Sequence, residues 1–134
     1  MKWTLLSVKR GFGGRLVGSP YMKEMVCRAC LLLPSEIIQE VTSRVWIISS
    51  PDDAWAMTFQ GEEIKNRHLI FLSEDLLRQD EEQIFYTILH EIGHVILKHR
   101  NSIGFEQTET EIKKQEAEAD RFAKKYSYNA RVST

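Results

Sequence analysis

Apolar positions recur at helical spacing near both ends of the chain and at strand spacing in the middle. Tyr21 to Leu33 carries a helical pattern, with Ser19 placed to cap it and Pro20 at its first position, and Pro34 interrupts it. Ser35 to Ser43 predicts a short second helix with Ile37, Ile38 and Val41 on one face. Val45-Trp46-Ile47-Ile48 is a β-branched and aromatic run, hence a buried strand. Pro51-Asp52-Asp53 marks a turn, Ala54 to Phe59 a returning strand, Gln60-Gly61 a second turn and His68 to Leu72 a third strand. Ser73 to Leu77 fits a helical turn. Asp80 and Gln83 have the spacing of a capping pair and open a long helix over Glu81 to Lys98. Asn101 to Phe105, with Gly104, reads as a loop, and a last helix covers Thr110 to Tyr126. No internal repeat is visible. The order is helix, strand meander, two helices: an α+β fold with a small antiparallel sheet packed on helices.

Charge separates one segment from the rest. Met1 to Lys23 holds Lys2, Lys9, Arg10, Arg15 and Lys23, no acidic residue, and four glycines at 11, 13, 14 and 18. Such a stretch gains little from packing and loses much entropy on ordering, so residues 1–19 are expected to be a flexible basic arm and residues 20–134 a single domain. Lys9 and Arg10 arrive too early for the apolar core of a secretory signal. The total of 134 residues allows one core and leaves no room for a separate substrate domain. A net charge of −1 gives no strong nucleic-acid signal. No apolar run reaches the roughly 18 residues of a membrane span, and the expected location is the cytoplasm. Cys27 and Cys30 form a lone C-x-x-C, better read as small core residues in a reducing compartment than as a metal or redox pair. Trp46, Trp55 and Phe59 are expected in the core or a cleft wall.

The chemistry lies in the last two helices. His90-Glu91-Ile92-Gly93-His94 is an H-E-x-x-H motif inside the long predicted helix. Spacing of i and i+4 stacks His90 and His94 on one face, where both imidazoles can reach one zinc ion. Glu91 lies about 100° around the helix, beside the metal rather than on it. There it can take a proton from a water activated by the metal. Gly93 costs roughly 1 kcal/mol against alanine in a helix, which is explained by close approach of another backbone, that of the last helix.

A catalytic zinc site needs three protein ligands and one open position. His99 follows His94 by five residues, which on a continuing helix swings it about 140° off the metal face. The metzincin spacing fails, because Arg100 stands where the third histidine belongs and Leu97 where the glycine belongs. Glu116 and Asp120 are again i and i+4, and Ala117, Ala119 and Ala123 allow close packing beside Gly93. Glu116 is therefore the better candidate for the third ligand, with Asp120 placed to accept a hydrogen bond from the outer nitrogen of a ligand histidine, His90 in the first instance.

With Glu116-Ala117-Glu118-Ala119-Asp120-Arg121-Phe122-Ala123 following it, the motif resembles the gluzincin pattern H-E-x-x-H…E-x-x-A-D-x-F-A. It is similar to the ImmA/IrrE-like metallopeptidases and the minimal soluble gluzincins, over about His68 to Ala123. The chain departs from the ImmA/IrrE-like pattern after Ala123, where Lys124-Lys125-Tyr126-Ser127 replaces an apolar continuation, and no helix-turn-helix module is evident. The resemblance implies a zinc metallopeptidase whose extended protein or peptide substrate binds beside the strand His68 to Leu72. Zinc held by His90, His94 and Glu116 would work with Glu91 as general base. His99, Tyr126 and Tyr128 are candidates to stabilise the oxyanion, with Arg121 a weaker one. So small a cleft raises the expectation of a regulatory protein partner. Three other readings are open: a zinc-binding regulatory module with little turnover, a zinc hydrolase of a non-peptide substrate, and a metal-free scaffold.

Overall fold

The computed structural model describes residues 2–50, 68–97 and 108–132. The elements run α1 (Leu5–Phe12), a 3-10 turn (Gly13–Arg15), β1 (Leu16–Val17), α2 (Pro20–Cys30), α3 (Ser35–Arg44), β2 (Val45–Ser50), β3 (His68–Ser73), a second 3-10 turn (Glu74–Arg78), α4 (Glu81–Ile96) and α5 (Glu109–Val132). The fold is α+β and mostly helical, as expected. The expected strand Ala54–Phe59, the loop Asn101–Phe105 and His99 lie outside the described residues.

The sheet departs from the expected antiparallel meander. Its order is β1-β2-β3 and both pairings are parallel, with Leu16 opposite Ile47 and Ile47 opposite Ile70. The connectivity explains the difference. A parallel pair needs a crossover of a dozen or more residues. Between β1 and β2 the chain makes that crossing with α2 and α3, and residues 51–67 are long enough to make it between β2 and β3. Leu16, Ile47 and Ile70 form a buried row across all three strands and face the helices.

The first residues also differ from the expected arm. Thr4 and Ser7 form a reciprocal capping box, with Ser7 N donating to Thr4 Oγ1 at 3.1 Å and Thr4 N donating to Ser7 Oγ at 2.8 Å. Val8 and Phe12, four residues apart, are fully buried in the common core, and Trp3 packs against it. Gly13, at φ 57°, takes the left-handed turn that ends α1. The Arg15 guanidinium then donates to the carbonyl of Gly11, at 2.9 Å, and to that of Thr42, tying the ends of α1 and α3 together. The glycines therefore serve turns and close packing within an ordered segment: a Cβ at Gly11 would stand 3.0 Å from Thr42 Cβ.

The motif helix is held from its first turn. Asp80 Oδ1 accepts from Gln83 N at 2.9 Å, as the capping pair predicted, and Glu81 and Glu82 sit where the helix dipole favours negative charge. Arg28 of α2 donates to both carboxylate oxygens of Glu81, at 3.0 and 3.2 Å, and its guanidinium lies 5.2 Å from the Phe85 ring centroid. Hydrogen bonding to Glu81 pushes the Arg28 pKa up. Near the end of α5, Asn129 Nδ2 donates to Leu32 O at 3.0 Å. No helix among the described residues is long and apolar enough to cross a membrane.

Candidate metal centre

The apolar pattern of α4 sets the direction of its histidines. Ile84, Ile88, Leu89 and Ile92 are buried and fix the core side of the helix. At 100° per residue, Gly93 lies about 80° from the midpoint of His90 and His94 around the helix. The last helix packs along the Gly93 edge: a Cβ there would meet Phe122 Cδ1 at 3.0 Å, Cγ at 3.2 Å and Cβ at 3.3 Å. Ala119 and Ala123 are fully buried, so small side chains on α5 and the absent one on α4 bring the two backbones together. That approach carries Glu116 over the two imidazoles.

Glu116 meets both histidines through separate oxygens. Its Oε2 lies 3.2 Å from His90 Nε2 and its Oε1 lies 3.1 Å from His94 Nε2. One donor atom from each of the three residues falls within 4.8 Å of the others. Two imidazole nitrogens and a carboxylate oxygen are a donor set that zinc accepts, and this spacing allows one ion to be shared among them. The imidazole rings stand edge to face, 4.9 Å apart between centroids. The histidine side chains are 17% and 23% exposed, whereas those of Glu91 and Glu116 are 42% and 56% exposed. The centre is thus walled on the imidazole side and open on the carboxylate side. Glu91 lies next to the cluster, its Oε1 3.8 Å from His90 Nδ1.

The remaining candidates separate by position. Asp120 is one turn beyond Glu116 and pairs with Lys124 Nζ at 2.9 Å. Because α5 is continuous, Tyr126 and Tyr128 lie about 15 and 18 Å beyond Glu116 along its axis. That is more than twice the reach of a tyrosine side chain, so a role for either at the reacting carbonyl is not supported. Tyr126 packs on the Phe122 ring at 4.9 Å and joins the core boundary, and Tyr128 is exposed. Arg121 is exposed. Tyr86 was absent from the sequence-based candidates. Its ring centroid is 5.9 Å from that of His90, one turn earlier on the metal face. The same i, i+4 spacing that links His90 to His94 would have found it.

Cys27 and Cys30 are free and buried in the core. Burial pushes the Cys27 thiol up to about 11, against a smaller downward pull from Lys9. Burial, with a smaller contribution from Cys27, raises Cys30 as well.

Residues 82–131 match the model of the Peptidase U49 family. The match covers less than half the chain, but it contains all of H-E-x-x-H, Glu116 and Asp120. It supports a peptidase, and it names a family other than the ImmA/IrrE-like group that the motif resembles. No curated protein and no solved structure matches the chain.

Proposed function

We propose that this protein is a zinc-dependent metallopeptidase of gluzincin type, with His90, His94 and Glu116 as metal ligands and Glu91 as general base. The observation that carries the reading is the convergence of two imidazole nitrogens of α4 on the two oxygens of one carboxylate of α5, at 3.1 and 3.2 Å. Two nitrogens and a carboxylate oxygen form a donor set that zinc accepts, and three protein ligands leave a position for substrate. Zinc in such a site polarises the scissile carbonyl and makes water a nucleophile at neutral pH.

The chain's own residues supply the rest. Glu91 accepts the proton of the attacking water and returns it to the leaving amine, which its exposed carboxylate beside His90 allows. The Arg28–Glu81 fork and the Asp80 cap hold the start of α4, and with it the orientation of the histidines about two and a half to three and a half turns later. The match to Peptidase U49 favours a peptide bond over other scissile bonds. The substrate is then a protein or peptide, and a regulatory protein partner is part of the proposal because the carboxylate side of the site is open, with Glu116 56% exposed.

Elemental analysis of purified protein tests the metal assignment. Near one zinc per chain is expected for the wild type and much less for Glu116→Ala. No zinc in the wild type after reconstitution would end the metallopeptidase reading. Equal zinc in both proteins would remove Glu116 from the ligand set.

A further inference from the structure

The segment that the sequence marked as a basic arm is a helix laid on the core, and its solvent side has an unusual composition. Taking Leu5 as the origin, Lys9, Leu6 and Arg10 follow at about 40°, 100° and 140° around α1, an unbroken arc. Val8 and Phe12, at about 300° and 340°, point into the core and are fully buried. Every residue of the outer arc is exposed, Leu5 by 42% and Leu6 by 56%. Lys2, also exposed, adds a third cation at the helix start. Trp3 packs on the core just after it, so the surface is anchored at both ends. Arg15 is occupied by the Gly11 and Thr42 carbonyls and does not contribute. The first acidic residue in the chain is Glu24, on α2.

From this alternation of leucines and cations we infer that the outer face of α1 docks the protein on an anionic lipid surface. The two leucines enter the headgroup boundary while Lys2, Lys9 and Arg10 extend to the lipid phosphates. Charge alone would serve a nucleic acid equally well, but a nucleic-acid backbone gives no reason to expose two adjacent leucines between the cations. An acidic lipid surface rewards both features. Each cation near such a surface contributes about 1 kcal/mol, or roughly fivefold, so three give a preference on the order of a hundredfold over neutral lipid. The contact is reversible, comparable to one weak membrane signal rather than a permanent anchor. It is independent of the metal site and would bring that site to proteins at the membrane surface.

Sedimentation of the full chain with vesicles tests this, using phosphatidylcholine alone and phosphatidylcholine with about 30 mol % phosphatidylserine at about 0.1 M salt. Partitioning on the order of a hundredfold stronger onto the anionic vesicles is expected, and it should largely vanish at about 0.5 M salt. The double variant Leu5→Ser with Leu6→Ser should lose about tenfold or more on the same vesicles with an unchanged thermal transition. Lys9→Gln with Arg10→Gln should reduce the anionic preference by a similar factor. The inference is overturned by equal partitioning onto both vesicle types or by no partitioning. It is also overturned if serine at positions 5 and 6 changes nothing, or if single-stranded oligonucleotide binds more tightly than vesicles.

Discussion

Gly93 and Phe122 set the distance between the two helices that carry the metal ligands. A Cβ on Gly93 would stand 3.0–3.3 Å from the Cβ, Cγ and Cδ1 of Phe122. Alanine is a better helix former than glycine by about 1 kcal/mol, so propensity alone predicts that Gly93→Ala stabilises the protein. Packing predicts the reverse. The atoms met are at the root of the Phe122 side chain, so relief requires α5 to shift, at a cost of about 1–3 kcal/mol for overpacking. The expected result is a net loss of up to about 2 kcal/mol in denaturant unfolding. A weaker hold on zinc should accompany it, because Glu116 rides on the displaced helix. A stabilised Gly93→Ala protein would show that the close approach is not what selects glycine there.

Glu91→Gln separates metal binding from proton transfer. The amide keeps the shape of the side chain and cannot accept the proton of the attacking water. Zinc content should match the wild type, while peptide hydrolysis should fall by about 10²–10⁴-fold, the usual contribution of a general base. Retained hydrolysis would remove Glu91 from that role. A parallel loss of zinc would mean that Glu91 is a ligand.

The site was far more legible than the sheet, for a physical reason. Helical spacing is local, so H-E-x-x-H and the Glu116–Asp120 repeat each declare a shared face from the sequence alone, and Gly93 with Ala119 and Ala123 indicates where two helices touch. Strand direction is not local. Val45 to Ile48 and His68 to Leu72 were placed correctly within β2 and β3, but their pairing depends on how the chain travels between them, which no short pattern records. For the oxyanion candidates on α5, position along the helix axis matters as much as face. A helix rises about 1.5 Å per residue, so the ten residues from Glu116 to Tyr126 remove that tyrosine from the site whichever way it points.

The basic, glycine-rich start misled for a different reason. Composition averaged over Met1 to Lys23 conceals Val8 and Phe12, two apolar residues with helical spacing that are enough to seat α1 on the core. Phe12→Ala is the direct test, since truncating a residue on a flexible arm has almost no effect on stability. A loss of about 3–5 kcal/mol in chemical denaturation is expected, as for a large aromatic side chain removed from a packed interior. A change below about 0.5 kcal/mol would return these residues to the status of a tail.

The buried thiols add a dependence of stability on alkaline pH. Burial raises the Cys27 pKa from 9.0 to about 11 in the folded protein, whereas the unfolded chain titrates at the ordinary value. Between these two values the folded state holds a proton that the unfolded state has released. Unfolding is then favoured progressively as pH rises, by up to about 1.4 kcal/mol per pH unit for each such thiol. The stabilisation is complete below pH 9 and is lost as pH climbs towards about 11. Cys30, raised in the same direction, extends the slope further. Lysines and tyrosines also titrate here, so the comparison is with Cys27→Ala combined with Cys30→Ala, measured by urea unfolding from about pH 8 to about pH 10.5. The variant should start less stable, having lost two packed side chains, and should fall less steeply with pH. Parallel pH profiles would mean that the folded protein ionises these thiols as readily as the unfolded chain does.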